Sequence, residues 1–546
     1  MPLQKNQVLT LRVERLSSDG SGVAHSPDGE TVFIPGAAPG DEARVRIVKD
    51  CKRYAFGILD EVLTPSPDRI PVDCAVAGPC GGCSLRHLDY AAELRAKQEN
   101  VADAFARIGG LDVPVLPIVG SPEVNRYRNK VQFPVGVDKS GKPCIGFYAG
   151  RTHRIVPCPD CRLQPGVLNE IGNALCAFFA EKGIQPYSEE TGRGLVRHIF
   201  LRRGAHSGQI MVCLVCTRAK LPSAEELCTR LKAQFAEITT ILLNVNAKNT
   251  NVILGTETHT LYGPGYIEDT LCGVPVQLGP LSFYQVNTLA AEQLYGIAAQ
   301  YAQLTPDDLL LDLYCGMGTI GLSMAAHCRE LIGVEIVPEA IESAKANAAR
   351  MGADVAAKSR FFCADAGQAA TRLAAEGLHP DIVMLDPPRK GCDEATLSAV
   401  VRMSPRRVVY VSCNPATAAR DAAWLEQNGY HAEKVQPVDL FPRTRHCEAV
   451  LLLTKLHVER HIEVDVSMDE LDVTAAESKA TYNEIRDYVW EHHQLKVSNL
   501  YIAQVKQKYS IIERENYNKA KNENAKQPKC PKEKEDAIVE ALKHFQ

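Results

Sequence analysis

The 546-residue chain lacks any run of roughly 18 consecutive apolar residues, the length a helix needs to span a bilayer. It is poor in aromatics, at 6% with two Trp, and neither sign of charge prevails, with 61 Lys and Arg against 66 Asp and Glu for a net charge of −5. An indiscriminate polyanion binder is thereby excluded, whereas a local basic groove is not. Apolar residues at 45% and charged residues at 23% exclude collagen, mucin and wholesale disorder. Met1-Pro2-Leu3-Gln4-Lys5-Asn6 leads to Arg12, Glu14 and Arg15 before an export core can form, so a cytoplasmic location is expected. No internal repeat is visible, and the length suggests about three or four domains.

Cysteine, by contrast, is abundant: there are nineteen, an odd number. In a long chain with no export signal, disulfides are not the expected use. Three uses remain: a metal or cluster site, a reactive thiol, and buried cysteines serving as small hydrophobes.

Residues 1–62 alternate apolar and polar positions, as in Ala43-Arg44-Val45-Arg46-Ile47-Val48, with regularly spaced glycines. Short strands at this spacing predict a small β-barrel. Pro65-Ser66-Pro67 reads as a linker, residues 74–83 hold a cysteine cluster, and an amphipathic helix is expected over 90–108. Residues 63–280 form this cluster segment and a central α+β domain. Over residues 281–456, strands at 309–313, 330–336, 382–386, 408–412 and 449–453 alternate with helical stretches, which predicts a doubly wound parallel sheet. Residues 457–546 are polar and Lys-rich, with helices expected at 481–490 and 537–545. Within them, residues 496–534 carry ten Lys and Arg against four Glu, a charge of 10 − 4 = +6. A module touching RNA and a solvated helical appendage are both open for this extension.

Four strand ends carry candidate chemistry. Asp312-Leu313-Tyr314-Cys315-Gly316-Met317-Gly318-Thr319-Ile320-Gly321 joins a strand to a helix, and Glu335 ends the next strand. Glycines there let a ligand approach the backbone, and a carboxylate at the following strand end suits ribose hydroxyls. Both S-adenosylmethionine and a dinucleotide fit the loop. Asp312 favours the former, since a carboxylate suits a cationic sulfonium better than a pyrophosphate. Asp386-Pro387-Pro388-Arg389-Lys390-Gly391 stiffens the chain where open α/β sheets place their ligands. Val411-Ser412-Cys413-Asn414-Pro415 presents a thiol at the fourth strand end, and Glu448 precedes the last strand.

Together with Ser282-Phe283-Tyr284-Gln285-Val286-Asn287 and Phe441-Pro442-Arg443-Thr444-Arg445-His446-Cys447-Glu448, these segments resemble the RNA 5-methyluridine methyltransferase family in order and spacing, over about residues 5–455. The resemblance implies a Rossmann-like S-adenosylmethionine-dependent domain and an N-terminal TRAM domain, an OB-like RNA-binding barrel. It implies cofactor contacts from Gln285, Tyr314, Glu335 and Asp386, Cys413 as nucleophile and Glu448 as base. A thiolate adding to carbon 6 of uracil makes carbon 5 nucleophilic, and a base must then remove the carbon 5 proton. The pKa of Cys413 is accordingly expected to fall below the free value of ~8.5. Two departures stand out: Thr319 where many relatives carry Asn, and Cys447 in place of an aliphatic residue, where packing is expected.

Cys74, Cys80 and Cys83, with Gly81 and Gly82 between the last two, resemble the family's iron–sulfur site, which implies a 4Fe-4S cluster and points to the 23S ribosomal RNA branch. The resemblance selects Cys161 as fourth ligand, with Cys158 next, and zinc is the rival metal. Arg126, Tyr127, Arg128 and Lys130 are candidate RNA contacts, with Arg197, His198, Arg202 and Arg203 adding cations. The expected activity is methylation of a specific uridine of 23S ribosomal RNA through a covalent Cys–uracil adduct. Its alternatives are the same reaction on transfer RNA and a non-catalytic ribosome-assembly factor. Neither a membrane nor an obligate protein partner is expected.

Overall fold

The computed structural model describes residues 3–150, 152–248, 250–456, 482–508 and 530–544. The chain divides into two compact units, residues 1–457 and 458–546.

The first unit opens with five strands, Val8–Leu16, Ser21–His25, Thr31–Pro35, Glu42–Asp50 and Tyr54–Thr64, closed into a barrel with the last two exchanged in order. The two-residue period of a strand sends Ala43, Val45 and Ile47 inward, fully buried, and leaves Glu42, Arg44 and Arg46 exposed. After the cysteine segment comes the helix Tyr90–Asp103, whose first turn is capped by the Asp89 carboxylate accepting from the Ala92 N–H at 2.8 Å. The expected helix to residue 108 instead relaxes into a π-helical turn, Ala104–Gly109, closed by Gly110 at φ 63°.

A central sheet of seven strands follows, in the order Glu257–Tyr262, Ile238–Val245, Ile210–Cys216, Val196–Arg203, Lys130–Val137, Pro143–Tyr148 and Ile155–Pro157. The helices Gly166–Glu181 and Ala224–Gln234 cover one face through Phe133, Leu168, Phe179, Leu201 and Leu227. The opposite face, with Phe200, Met211 and Leu242, joins the core of the domain that follows.

That domain holds a second seven-stranded sheet, in the order Ser359–Cys363, Glu330–Glu335, Leu309–Leu313, Ile382–Leu385, Arg407–Ser412, Glu448–Lys455 and Tyr430–Val438. Alternate residues of each strand enter two cores: Leu310, Met384 and Val409 on one side, Leu311, Val383 and Tyr410 on the other. It is the Rossmann-like architecture, with one correction to the all-parallel expectation. Glu448–Lys455 runs antiparallel to both its neighbours. Only residues 439–447 separate it from Tyr430–Val438, too few for the dozen or more residues of a parallel crossover.

In the second unit, helices Tyr482–His493, Asn499–Lys508 and Lys532–His544 pack through Ile485, Val489, Ile502, Val505, Ile538 and Leu542. The helix at 499–508 was not anticipated. Of the +6 segment at 496–534, residues 509–529 lie outside the described residues, as do Thr481 and Phe545.

Candidate active site

The glycine loop leaves the strand Leu309–Leu313 at the sheet's centre. Asp312 is buried, and its Oδ2 accepts the Gly321 N–H at 3.0 Å while Oδ1 has no partner. Burial pushes its carboxyl up to about 8, with Asp386 and Glu335 nearby. Gly321 must be glycine, since a Cβ there would lie 2.8 Å from both Asp312 Oδ2 and a Leu331 methyl. Tyr314 sits at φ 66°, a left-handed conformation that costs a non-glycine residue of order 1 kcal/mol or more and is concentrated at functional sites. Gly316, at φ 55°, has open space where a side chain would stand, and its N–H reaches Glu335 Oε2 at 3.2 Å. The other oxygen of Glu335 accepts the Val337 N–H at 2.9 Å. Glu335 is thus held at the loop's lip, and the exposed aliphatics Ile336 and Val337 follow it. Gln285 is fixed through its backbone, whose carbonyl accepts from Asn129 Nδ2 at 2.7 Å. Thr319 is buried, 3.3 Å from the Tyr295 hydroxyl.

Cys413 and Glu448 meet across the sheet. Ser412 is paired with Ala449 in the antiparallel ladder, so the next step outward sets Cys413 opposite Glu448. The turn around the thiol is locked. Asn414 N–H donates to Ser412 Oγ at 3.0 Å, Asn414 caps the helix Pro415–Gln427, and Asn414 Nδ2 and Thr417 Oγ1 donate to the Arg389 carbonyl at 2.9 and 3.3 Å. This ties the Asp386-Pro-Pro-Arg389 turn to the thiol turn. The Arg389 guanidinium lies close enough to Cys413 to favour its thiolate.

Glu448 is buried, and burial together with Asp386 pushes its carboxyl up to about 8, against the pull of Arg389. Burial raises Asp386 to about 7. In the protein alone, burial, Glu448 and Asp386 raise the pKa of Cys413, and Arg389 offsets only part of this, so the expected lowering is left to the cationic cofactor. Two carboxylates beside a thiol oppose a third negative charge. Arg389 is the site residue that sequence reasoning passed over. Its signal was in plain view, two residues after a proline that follows Asp386. Cys447 is buried, its thiol donating to the Val438 carbonyl at 3.6 Å, and burial raises its pKa, as packing requires.

Cys74, Cys80, Cys83, Cys158 and Cys161 all line one cavity of about 240 Å³, with Arg86, Arg128 and Lys130. The neighbouring Cys158 thiol lowers the pKa of Cys161 against the effect of burial, and Arg86 and Arg126 act in the same direction. Among the described residues no three His, Cys, Asp or Glu side chains are already gathered to hold a metal ion.

The candidate RNA contacts are placed differently from expectation. Tyr127 is buried, its hydroxyl donating to the Pro442 carbonyl at 3.0 Å, so it offers no face to a base. Arg126 donates to the Cys161 and Gln164 carbonyls at 2.7 and 3.2 Å and pairs with Asp160 at 2.7 Å. Arg197 and Arg202 are buried on the carbonyls of Asn246 and Lys248, and of Gly279 and Ser282, respectively. His198 is buried too. Lys130 is half-buried, and burial beside Arg202 and Arg128 lowers its pKa to about 8. Arg126, Arg197 and Arg202 thus bind the chain to itself.

Comparison with known proteins accounts for this arrangement. The family model for tRNA (uracil-5-)-methyltransferase matches residues 207–456, and that for the TRAM domain matches residues 2–59. An uncharacterized RNA methyltransferase of Halalkalibacterium halodurans is 43% identical over 453 residues, 83% of this chain and 98% of its own. One from Oceanobacillus iheyensis is 41% identical over 455 residues, with the same coverage. The crystal structure of Pyrococcus abyssi tRNA (uracil-54, C5)-methyltransferase in complex with S-adenosyl-L-homocysteine superposes with a TM-score of 0.66 at 27% identity. It covers 82% of this chain and 100% of that one. With a methyltransferase sheet, a TRAM barrel and close relatives along nearly their whole length, the chain belongs to the S-adenosylmethionine-dependent RNA (uracil-5-)-methyltransferase family.

Proposed function

We propose that the protein methylates carbon 5 of a specific uridine in 23S ribosomal RNA through a covalent adduct on Cys413, resolved by Glu448. The carrying observation is the convergence of Cys413, Glu448, Asp386 and Arg389 at one strand-end corner. Gln285, Tyr314, Glu335 and Asp386 hold S-adenosylmethionine, with Glu335 on the ribose. The raised thiol of Cys413 is lowered when the cationic cofactor adds its charge to that of Arg389 beside two carboxylates. The thiolate attacks carbon 6, and the electron pair moves through carbon 5 to the methyl group, displacing neutral S-adenosylhomocysteine. Glu448, whose raised pKa suits a base working near neutrality, takes the carbon 5 proton, and the Cys413–carbon 6 bond breaks. The target uridine is unpaired or flipped out to reach the thiol. The cytoplasm is the proposed location. No described helix is long and apolar enough to cross a membrane.

We infer from the family resemblance and from the five thiols that line one cavity that Cys74, Cys80, Cys83 and Cys161 would hold a 4Fe-4S cluster, the bound group serving as a structural clamp. The supporting observation is Arg86, which lines the cavity beside Cys83 and whose Nε and Nη2 are buried without partners. An anionic cluster would satisfy both. Of the two cysteines at 158 and 161, Cys161 is the one whose surroundings favour thiolate.

Transfer RNA is the second reading, favoured by the substrate in the name of the Pyrococcus abyssi structure. Mapping 5-methyluridine in ribosomal and transfer RNA from cells with and without the gene decides between them. Loss of a 23S site supports the proposal, and loss of a transfer RNA site alone rejects it. Exchanging Cys161 or Cys158 for Ser, followed by anaerobic iron analysis, tests the cluster. Iron lost only from Cys158→Ser would reverse the ligand choice, and one zinc per chain without iron would refute the cluster.

A further inference from the structure

Residues 439–447 form the hairpin loop that leads into Glu448, which is itself paired with Val438 across the loop's base. The loop is gripped from outside by a helix more than 300 positions earlier in the chain. Lys97 is 1% exposed, and its Nζ lies 2.7 Å from Asp439 Oδ1 and 2.7 Å from Glu93 Oε1, both on fully buried side chains. The same nitrogen donates to the Phe441 carbonyl at 3.1 Å. Glu93 Oε1 also accepts the Arg443 N–H at 2.7 Å, and Arg443 Nη1 donates to the Leu88 carbonyl at 2.8 Å. Arg443 takes up a left-handed backbone at φ 68°. Tyr90 donates to Asp439 Oδ2 at 2.9 Å and accepts the Ser121 N–H at 2.7 Å.

A buried ion cluster is an expensive way to hold a fold together, because desolvation offsets most of the Coulombic gain, and apolar packing commonly does as well or better. What it supplies is direction: the one Lys97 ammonium joins Glu93 on the helix to Asp439 and the Phe441 carbonyl in the loop. Two acids, Glu93 and Asp439, face two bases, Lys97 and Arg443. Between them they fix residues 439, 441 and 443 of the loop that ends at Glu448.

We propose that Lys97, acting with Glu93 and Tyr90, is a positioning group for Glu448. It holds the 439–447 loop so that the carboxylate stands where the carbon 5 proton must leave. This rests on the proposed role of Glu448 as base. The same helix follows directly on the cysteine segment and on Leu85, whose N–H donates to the Arg443 carbonyl at 3.1 Å. The cysteine segment and the base therefore share one mechanical connection.

The test separates adduct formation from adduct release. Full-length wild type, Glu448→Gln, Lys97→Met and Tyr90→Phe are each mixed with S-adenosylmethionine and a 23S ribosomal RNA transcript. The covalent protein–RNA band is followed in time on denaturing gels, and cofactor affinity is measured separately. Lys97→Met is expected to slow release by about tenfold or more, since a misplacement of about 1 Å can cost 10²-fold, with cofactor affinity within twofold of wild type. Tyr90→Phe, which removes only a hydroxyl, is expected to slow release about threefold and decides the matter if Lys97→Met does not fold. Release within twofold of wild type in a folded Lys97→Met overturns the inference. So does a parallel loss of cofactor affinity, adduct formation and release, which marks a purely structural role. If Glu448→Gln itself accumulates no adduct, the reading of Glu448 as base has failed instead.

Discussion

The two seven-stranded sheets of the first unit spend their polar residues in opposite ways. In the methyltransferase sheet, polar and reactive side chains are placed past the strand ends. Tyr314, Glu335, Asp386 and Cys413 all stand where loops leave the carboxyl ends of strands. In the central sheet, Arg197 and Arg202 lie within a strand and are buried on backbone carbonyls. A residue at a strand end faces an opening. A residue within a central strand faces a packed layer, whatever its charge. A cluster of cations in sequence is therefore a surface only if the sheet leaves it one.

The sharpest way to break that contrast is at the strand ends. Cys413→Ala should lower methyl transfer by about 10³-fold or more, as loss of a covalent nucleophile does. S-adenosylmethionine affinity, by calorimetry, should stay within about twofold, because the thiol makes no cofactor contact in the proposed arrangement. Activity within tenfold of wild type would remove the thiol from the mechanism.

Next in size is the centre of the other sheet. Arg202→Met deprives the Gly279 and Ser282 carbonyls of their donors, and unsatisfied buried groups cost roughly 1–3 kcal/mol each. Denaturant unfolding should show a loss of about 2–4 kcal/mol. The salt dependence of RNA binding should be unaltered, since a buried guanidinium releases no counterion. A shallower salt slope would return Arg202 to the RNA-binding surface.

Glu448 gives a pH test. Its carboxyl is raised to about 8 in the fold against ~4.3 in an unfolded chain. Between those values the folded state holds the extra proton, so stability falls as pH rises across that window. Glu448→Gln should flatten the fall and be more stable than wild type at pH 8 by about 1–2 kcal/mol. Thermal melts at pH 5 and pH 8 check the sign, and equal pH dependence in both proteins would show that the carboxyl is not buried as described.

The smallest effect is expected from Lys130→Ala. Its lowered pKa, about 8, leaves it partly neutral near physiological pH. The slope of log affinity against log salt should change by less than the ~0.9 expected for one full phosphate contact.

How far the sequence could be read follows from the same contrast. The glycine loop, the Asp-Pro-Pro-Arg turn and the Cys413 turn are each local: strand, punctuation and helix lie within a dozen positions, and the side chain's direction follows from them. Alternation alone exposed the barrel's inward Ala43, Val45 and Ile47. The antiparallel end of the catalytic sheet was hidden, because a hairpin of Tyr430–Val438 with Glu448–Lys455 and a parallel pair present the same apolar runs. Tyr127 was misread because nothing near it in sequence reveals that Pro442 closes over it. In sequence Lys97 and Glu93 are an i, i+4 pair of the kind that solvated helix faces carry. The second partner of Lys97, Asp439, is 342 positions away, and no local pattern reaches that far.

One feature of the crevice bears on how the enzyme turns over. Asp312, Asp386 and Glu448 are three buried acids whose carboxyls are raised to about 8, 7 and 8, so burial favours their protonated forms in the free protein. On the proposed reading a sulfonium arriving beside Asp386 favours the ionised form and expels a proton. Binding of S-adenosylmethionine is then a proton-for-cation exchange, tighter as pH rises towards 7. Once the methyl group has left, the sulfur is neutral and the exchange runs backwards. The product loses the attraction that held its precursor, and the crevice recovers its proton as it empties.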